Sequence, residues 1–67
     1  MDGLKVEKVN EDGNFIIEIN NNSKWQYITQ EYSFSSAVYV MSNLHIATNK
    51  KCRVLSIRSN NKVMSET

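Results

Sequence analysis

The sequence predicts a small α+β domain of two layers, an antiparallel sheet with one helix packed on one face. Three observations carry that expectation. Residues 4–29 hold three short runs of strand-forming residues separated by Asp-Gly and by an asparagine cluster. Residues 33–48 repeat apolar side chains at helical spacing, and residues 52–65 return to a strand pattern. The order is β-β-β-α-β, with a short C-terminal strand able to fold back on the last one. At 67 residues the chain, 1–67, is a single domain with a marginal core.

Leu4 to Asn10 and Asn14 to Ile19 flank Asp12-Gly13, a short hairpin signal because Gly13 tolerates positive φ. A two-residue loop there sets Val9 opposite Ile16 and Val6 opposite Ile19. Leu4, Val6, Phe15, Ile17 and Ile19 then share the core face, and Val9 and Ile16 lie on the other. The next run, Lys24 to Thr29, alternates strictly, with Trp25, Tyr27 and Thr29 on one side and Lys24, Gln26 and Ile28 on the other. Loop length through the asparagines decides which side meets the core, because a one-residue slip inverts a strand. A loop of three or five residues sets Trp25 and Tyr27 beside Phe15, Ile17 and Ile19. Burial is worth about 1.5–3 kcal/mol for each large side chain, so this register is expected.

Phe34, Ala37, Val38, Met41, Leu44, His45 and Thr48 follow the spacing of a helical face. Ser33 is the expected N-cap, accepting an N–H from Ser35 or Ser36. Lys50 and Lys51 fall in or just past the last turn, where cations favour the negative end of the helix dipole. A strand over "SFSSAVYVM" would mix apolar and polar residues on both faces, so the helix is preferred. It should cover Phe15, Ile17, Ile19, Trp25 and Tyr27. Cys52 to Ile57 then forms a strand, and Lys62 to Ser65 can return through Asn60-Asn61, setting Ile57 opposite Met64 and Arg58 opposite Val63. Glu66 and Thr67 are expected to fray.

Near-neutral net charge conceals an asymmetry. Residues 1–31 carry Asp2, Glu7, Glu11, Asp12, Glu18 and Glu31 against three lysines; residues 32–67 carry Lys50, Lys51, Arg53, Arg58 and Lys62 against Glu66 alone. Acidic and basic strands side by side would pair across a sheet. The same five bases are the candidate phosphate-binding set. A lone cysteine suits a reducing compartment, and no apolar run is long enough for a bilayer, so the chain reads as cytoplasmic with no membrane partner.

Catalytic signatures are not apparent. His45 and Cys52 supply two strong ligands where tetrahedral zinc takes four, so neither a metal nor another cofactor is expected. A Cys–His pair would need a lowered thiol pKa, an orienting group and a cleft. A helix-boundary His45 and a core Cys52 are the simpler expectation, and Gly3 and Gly13 make no phosphate loop. The chain is therefore expected not to be an enzyme.

Surfaces remain. With one helical face inward, Tyr39, Asn43 and Ile46 run along the outer stripe, an aromatic and an aliphatic rimmed by polar groups, and form the candidate partner-binding site. Val9, Ile16 and Ile28 on the far sheet face are the candidate self-association surface, and a free sheet edge could add a strand from another chain. The alternative is nucleic-acid binding through the basic residues, with Trp25 and Tyr27 as a stacking platform if their face is open.

The order "KWQYITQEYSFSSAVYVMSNL" followed by "CRVLSIRSNNKVMSE" resembles small accessory proteins encoded by bacteriophages, in which an aromatic strand, a serine-capped helix and a basic strand ending in a hairpin make up most of the chain. The resemblance covers residues 24–66. It implies a protein that binds and inhibits or redirects a host protein, and no site residue follows from it. Together these readings lead to a non-catalytic protein-binding or regulatory domain acting as a homodimer.

Overall fold

The computed structural model describes residues 14–67. Four strands, β1 (Phe15–Asn21), β2 (Lys24–Glu31), β3 (Cys52–Ser56) and β4 (Lys62–Glu66), form one antiparallel sheet in the order β2-β1-β3-β4. Helix α1 (Phe34–Thr48) packs on one face. The small α+β, two-layer fold expected from the sequence is the fold of the protein. The strand expected over residues 4–10, with its Val9–Ile16 register, lies outside the described residues. The expected partner Ile16 instead pairs with Gln30 of β2 on one side and Leu55 of β3 on the other. Because β2 and β3 both run antiparallel to β1, they are parallel to each other. Joining them requires a long crossover, and α1 supplies it.

Helix α1 starts where expected. The Ser33 hydroxyl accepts the Ser36 N–H at 3.2 Å, satisfying one of the first-turn donors that have no partner inside the helix. It ends at Asn49, whose left-handed backbone (φ 60°) lets its N–H donate to the His45 carbonyl at 2.7 Å. Ala37 and Met41 are buried against Ile17, Ile19, Cys52 and Val54, with Phe15, Val38, Val40 and Leu44 packed around them. The Phe15 and Phe34 rings meet at 5.7 Å in a tilted arrangement. Val40 thus joins the core margin, which leaves Tyr39 as the one large side chain of its turn turned outward.

The first hairpin corrects the expected register. Asn21 pairs with Lys24, so the loop is only Asn22-Ser23. Both residues have positive φ, 56° and 68°, as the two-residue turn that matches strand twist requires. Trp25 therefore falls opposite Asn20, and Tyr27 opposite Glu18, on the face away from the helix. Lys24 and Gln26 take the helix side, where the aromatics were expected. A bulge then leaves Ile28 without an opposite residue, and from there Thr29 faces Ile17 and Glu31 faces Phe15. The expected face is thus recovered in the distal half of β2 alone.

The C-terminal hairpin is also wider than expected. Ile57–Ser59 form a 3₁₀ turn, followed by Asn60 and Asn61 at φ 56° and 62°. Their N–H groups donate to the carbonyls of Ile57 (3.2 Å) and Ser56 (2.8 Å). Leu55 therefore pairs with Val63 and Ser56 with Lys62, and neither Ile57–Met64 nor Arg58–Val63 is formed. The C-terminus is held rather than frayed. Glu66 pairs with Arg53, the Thr67 N–H donates to the Cys52 carbonyl at 2.9 Å, and the Thr67 hydroxyl accepts the Cys52 N–H at 2.9 Å.

Candidate interaction surface

Helix periodicity fixes the outer stripe of α1. With Ala37 and Met41 buried and Val38 and Val40 packed beside them, Tyr39 is the position between them that turns to solvent. Tyr39 is 70% exposed and Ile46 78% exposed, with exposed Asn43 between them. The structure brings the three expected partner-binding residues onto one ridge.

Beside Tyr39 lies an open groove of about 390 Å³ lined by Glu31, Ser35, Ser36, Tyr39 and Val40. Helix α1 packs over β1 and β3 more than over β2, and the groove lies where the end of β2 meets the first turns of the helix. Glu31 closes β2 opposite Phe15, on the helix side, and is half-buried. Its carboxylate makes no hydrogen bond or ion pair with another described residue. The strand expected from alternation ends at Thr29, so it does not include this group; β2 runs on to Glu31.

The opposite sheet face is organised in cross-strand rows. Tyr27, Glu18, Arg53 and Glu66 form one row, and Gln30, Ile16, Leu55 and Val63 the next. Ile16 is half-buried and Leu55 only 6% exposed, whereas Val63 is exposed. Of the expected self-association set, Ile16 belongs to this apolar row, Ile28 stands exposed at the β2 bulge, and Val9 lies outside the described residues.

The five basic residues do not form one patch. Arg53 is engaged on the sheet face: its Nε and Nη2 each lie 2.8 Å from Glu18 Oε1, and its guanidinium lies 4.1 Å over the Trp25 ring. Lys50 Nζ donates to Asn21 Oδ1 at 2.7 Å, next to Lys51 at one end of the sheet. Arg58 donates to Asn14 Oδ1 at 3.4 Å at the other end, near Lys62.

His45 and Cys52 converge on one backbone oxygen. His45 Nδ1 lies 2.8 Å from the Lys50 carbonyl, and the Cys52 thiol donates to the same oxygen at 3.5 Å. Cys52 is fully buried, and that burial pushes its pKa up, away from the thiolate a nucleophile needs. Among the described residues, no three of His, Cys, Asp and Glu group to hold a metal, and no helix is long and apolar enough to cross a membrane. Compared with protein-family models, curated proteins and solved structures, the chain matches none.

Proposed function

We propose that the chain is a non-catalytic protein-binding domain whose contact surface is the outer ridge of α1, Tyr39, Asn43 and Ile46. One observation carries the proposal: a large aromatic and a large aliphatic residue stand 70% and 78% exposed on one helix, while Ala37, Val38, Val40, Met41 and Leu44 pack inward. Tyr is among the residues that most often dominate binding energy, and a polar rim around an apolar centre is the usual anatomy of an interface. The resemblance to phage accessory proteins makes a host protein the first partner class to test. Immobilised wild type, Tyr39→Ala and Ile46→Ala would be compared in capture from a host lysate. A partner retained by wild type and lost by both variants supports the ridge. A partner retained equally by all three removes it.

Self-association would use the far sheet face, where Ile16 adjoins Leu55 and Val63, with Val9 and Ile28 as the further expected contacts. Sedimentation over a concentration series tests it, and a monomer at high micromolar concentration ends the homodimer reading.

A second reading, single-stranded nucleic acid on that same face, is favoured by Trp25 and Tyr27 lying outside the helix-covered core. It is disfavoured by charge: Glu18 and Glu66 share the row with Arg53, whose guanidinium is already paired. Phosphate tracking needs a continuous basic groove. Quenching of Trp25 by an oligonucleotide, abolished by salt, would revive this reading.

A further inference from the structure

We infer that the groove between the end of β2 and the first turns of α1 receives a short extended segment of a partner protein and takes a lysine or arginine side chain from it onto Glu31. This rests on the protein-binding reading above and names what the partner must carry. Glu31 is half-buried and lines the groove, and its carboxylate has no ionic or hydrogen-bonding partner among the described residues. Hydrogen bonds to a carboxylate are strongest from a cationic donor. The remaining walls suit the rest of such a side chain: the Tyr39 ring and Val40 for the alkyl stem, the Ser35 and Ser36 hydroxyls at the rim.

Backbone geometry limits the segment's length. The N–H of Asn20 donates to Lys51, and the carbonyl of Asn14 accepts from Ile57, so the even-numbered residues of β1 turn toward β3 and the odd-numbered ones toward β2. Thr29 and Glu31, opposite Ile17 and Phe15, therefore turn toward β1, and the peptide groups of Gln30 point away from it, at the edge of the sheet formed by the described strands. The bulge at Ile28 interrupts that edge, so a long strand cannot add to it. A segment of few residues can bond Gln30 and still set one side chain into the groove.

The test uses three pentapeptides of sequence Thr-Val-X-Val-Thr, blocked at both ends, with X as Lys, Glu or norleucine. Each is titrated into the isotopically labelled full chain while amide resonances are followed. The lysine peptide should bind about tenfold or more tightly than the glutamate peptide, as a charge-assisted bond implies. It should shift the resonances of Gln30, Glu31, Ser36 and Tyr39. Glu31→Gln, whose fold is checked by the same spectrum, should bring the lysine peptide down to the affinity of the norleucine peptide. Equal affinity for the lysine and glutamate peptides overturns the inference, as does the absence of binding at millimolar peptide. Movement of the same resonances on dilution of the protein alone would assign the groove to a second copy and also overturns it. None of these failures touches the ridge reading, which stands or falls on Tyr39→Ala and Ile46→Ala.

Discussion

Arg53 on β3 lies with its guanidinium 4.1 Å over the ring of Trp25 on β2, spanning the central strand between them. Glu18 on β1 holds the same guanidinium through Nε and Nη2. The carboxylate fixes the plane and the ring covers it, so Trp25 is half-buried without entering the core. A double-mutant cycle of Arg53→Ala and Trp25→Ala should give a coupling of about 0.5–1 kcal/mol. Both ionic partners are partly exposed, so the Glu18 pair adds no more than about 1 kcal/mol. Arg53→Lys keeps the charge but loses the flat stack and should recover only part of the coupling. Urea unfolding followed by far-ultraviolet circular dichroism, which needs no tryptophan, measures all four corners.

The cap of α1 offers a second measurement. Ser33 satisfies the Ser36 N–H, and the first turn carries no acidic residue to share that role. Ser33→Ala should cost about 1 kcal/mol, and Ser33→Asp should restore it or exceed the wild type through the helix dipole. In a domain of this size, 1 kcal/mol moves Tm by roughly 4–8 °C, so calorimetry resolves the pair.

The helix face can be tested by contrast. Met41 is buried in the core cluster and Ile46 stands in solvent five residues on. Met41→Ala should destabilise by about 2–5 kcal/mol, whereas Ile46→Ala should stay within about 0.5 kcal/mol of wild type. That difference, read by chemical denaturation, also qualifies Ile46→Ala as a probe of binding that leaves the fold intact.

Helix and hairpins differed in how far the sequence revealed them. The period begun by Phe34 and continued through Met41, Leu44 and Thr48 left one face to bury, so the outward positions of Tyr39 and Ile46 followed from spacing alone. Register in the first hairpin did not, because it depends on loop length. The aromatic burial that favours a loop of three or five residues competes with the good twist of the two-residue Asn22-Ser23 turn. The turn prevails, and Trp25 finds cover on Arg53 instead, a contact between strands remote in sequence. Glu31 was missed for another reason: the alternating pattern ended the expected strand at Thr29, whereas β2 continues to Glu31. At the C-terminus, Asn60-Asn61 marked a turn correctly, but the 3₁₀ turn of Ile57–Ser59 lengthened it.

The turn itself makes a prediction. Ser23 adopts φ 68°, where a residue with a Cβ is strained by about 1–2 kcal/mol and glycine is not. Ser23→Gly recovers that strain but gives the unfolded chain more freedom, which offsets part of it. The net expectation is a gain of about 0.5 kcal/mol in urea unfolding, with the Trp25 emission maximum unchanged because the register is kept. A loss of stability with a shift in that emission would show that the two-residue loop does not set the hairpin.

Cys52 supplies the pH dependence. Burial raises its pKa above the ordinary value of 9.0, because the thiolate loses hydration in the core. The folded chain therefore keeps the thiol proton to higher pH than the unfolded chain does. This contribution is fully present below pH 9.0 and is lost as pH rises from there through the folded value. The informative quantity is the difference between wild type and Cys52→Ala. At neutral pH the variant should be less stable, by about 1–2 kcal/mol for the cavity it leaves. Above pH 9.0 the difference should shrink by up to about 1.4 kcal/mol per pH unit, because only the wild type still has a thiol to ionise on unfolding. Urea unfolding at a series of pH values gives the curve, and thiol labelling of the folded protein should be slow throughout it. A difference that stays constant across the alkaline range would mean that the Cys52 thiol is not desolvated in the folded state.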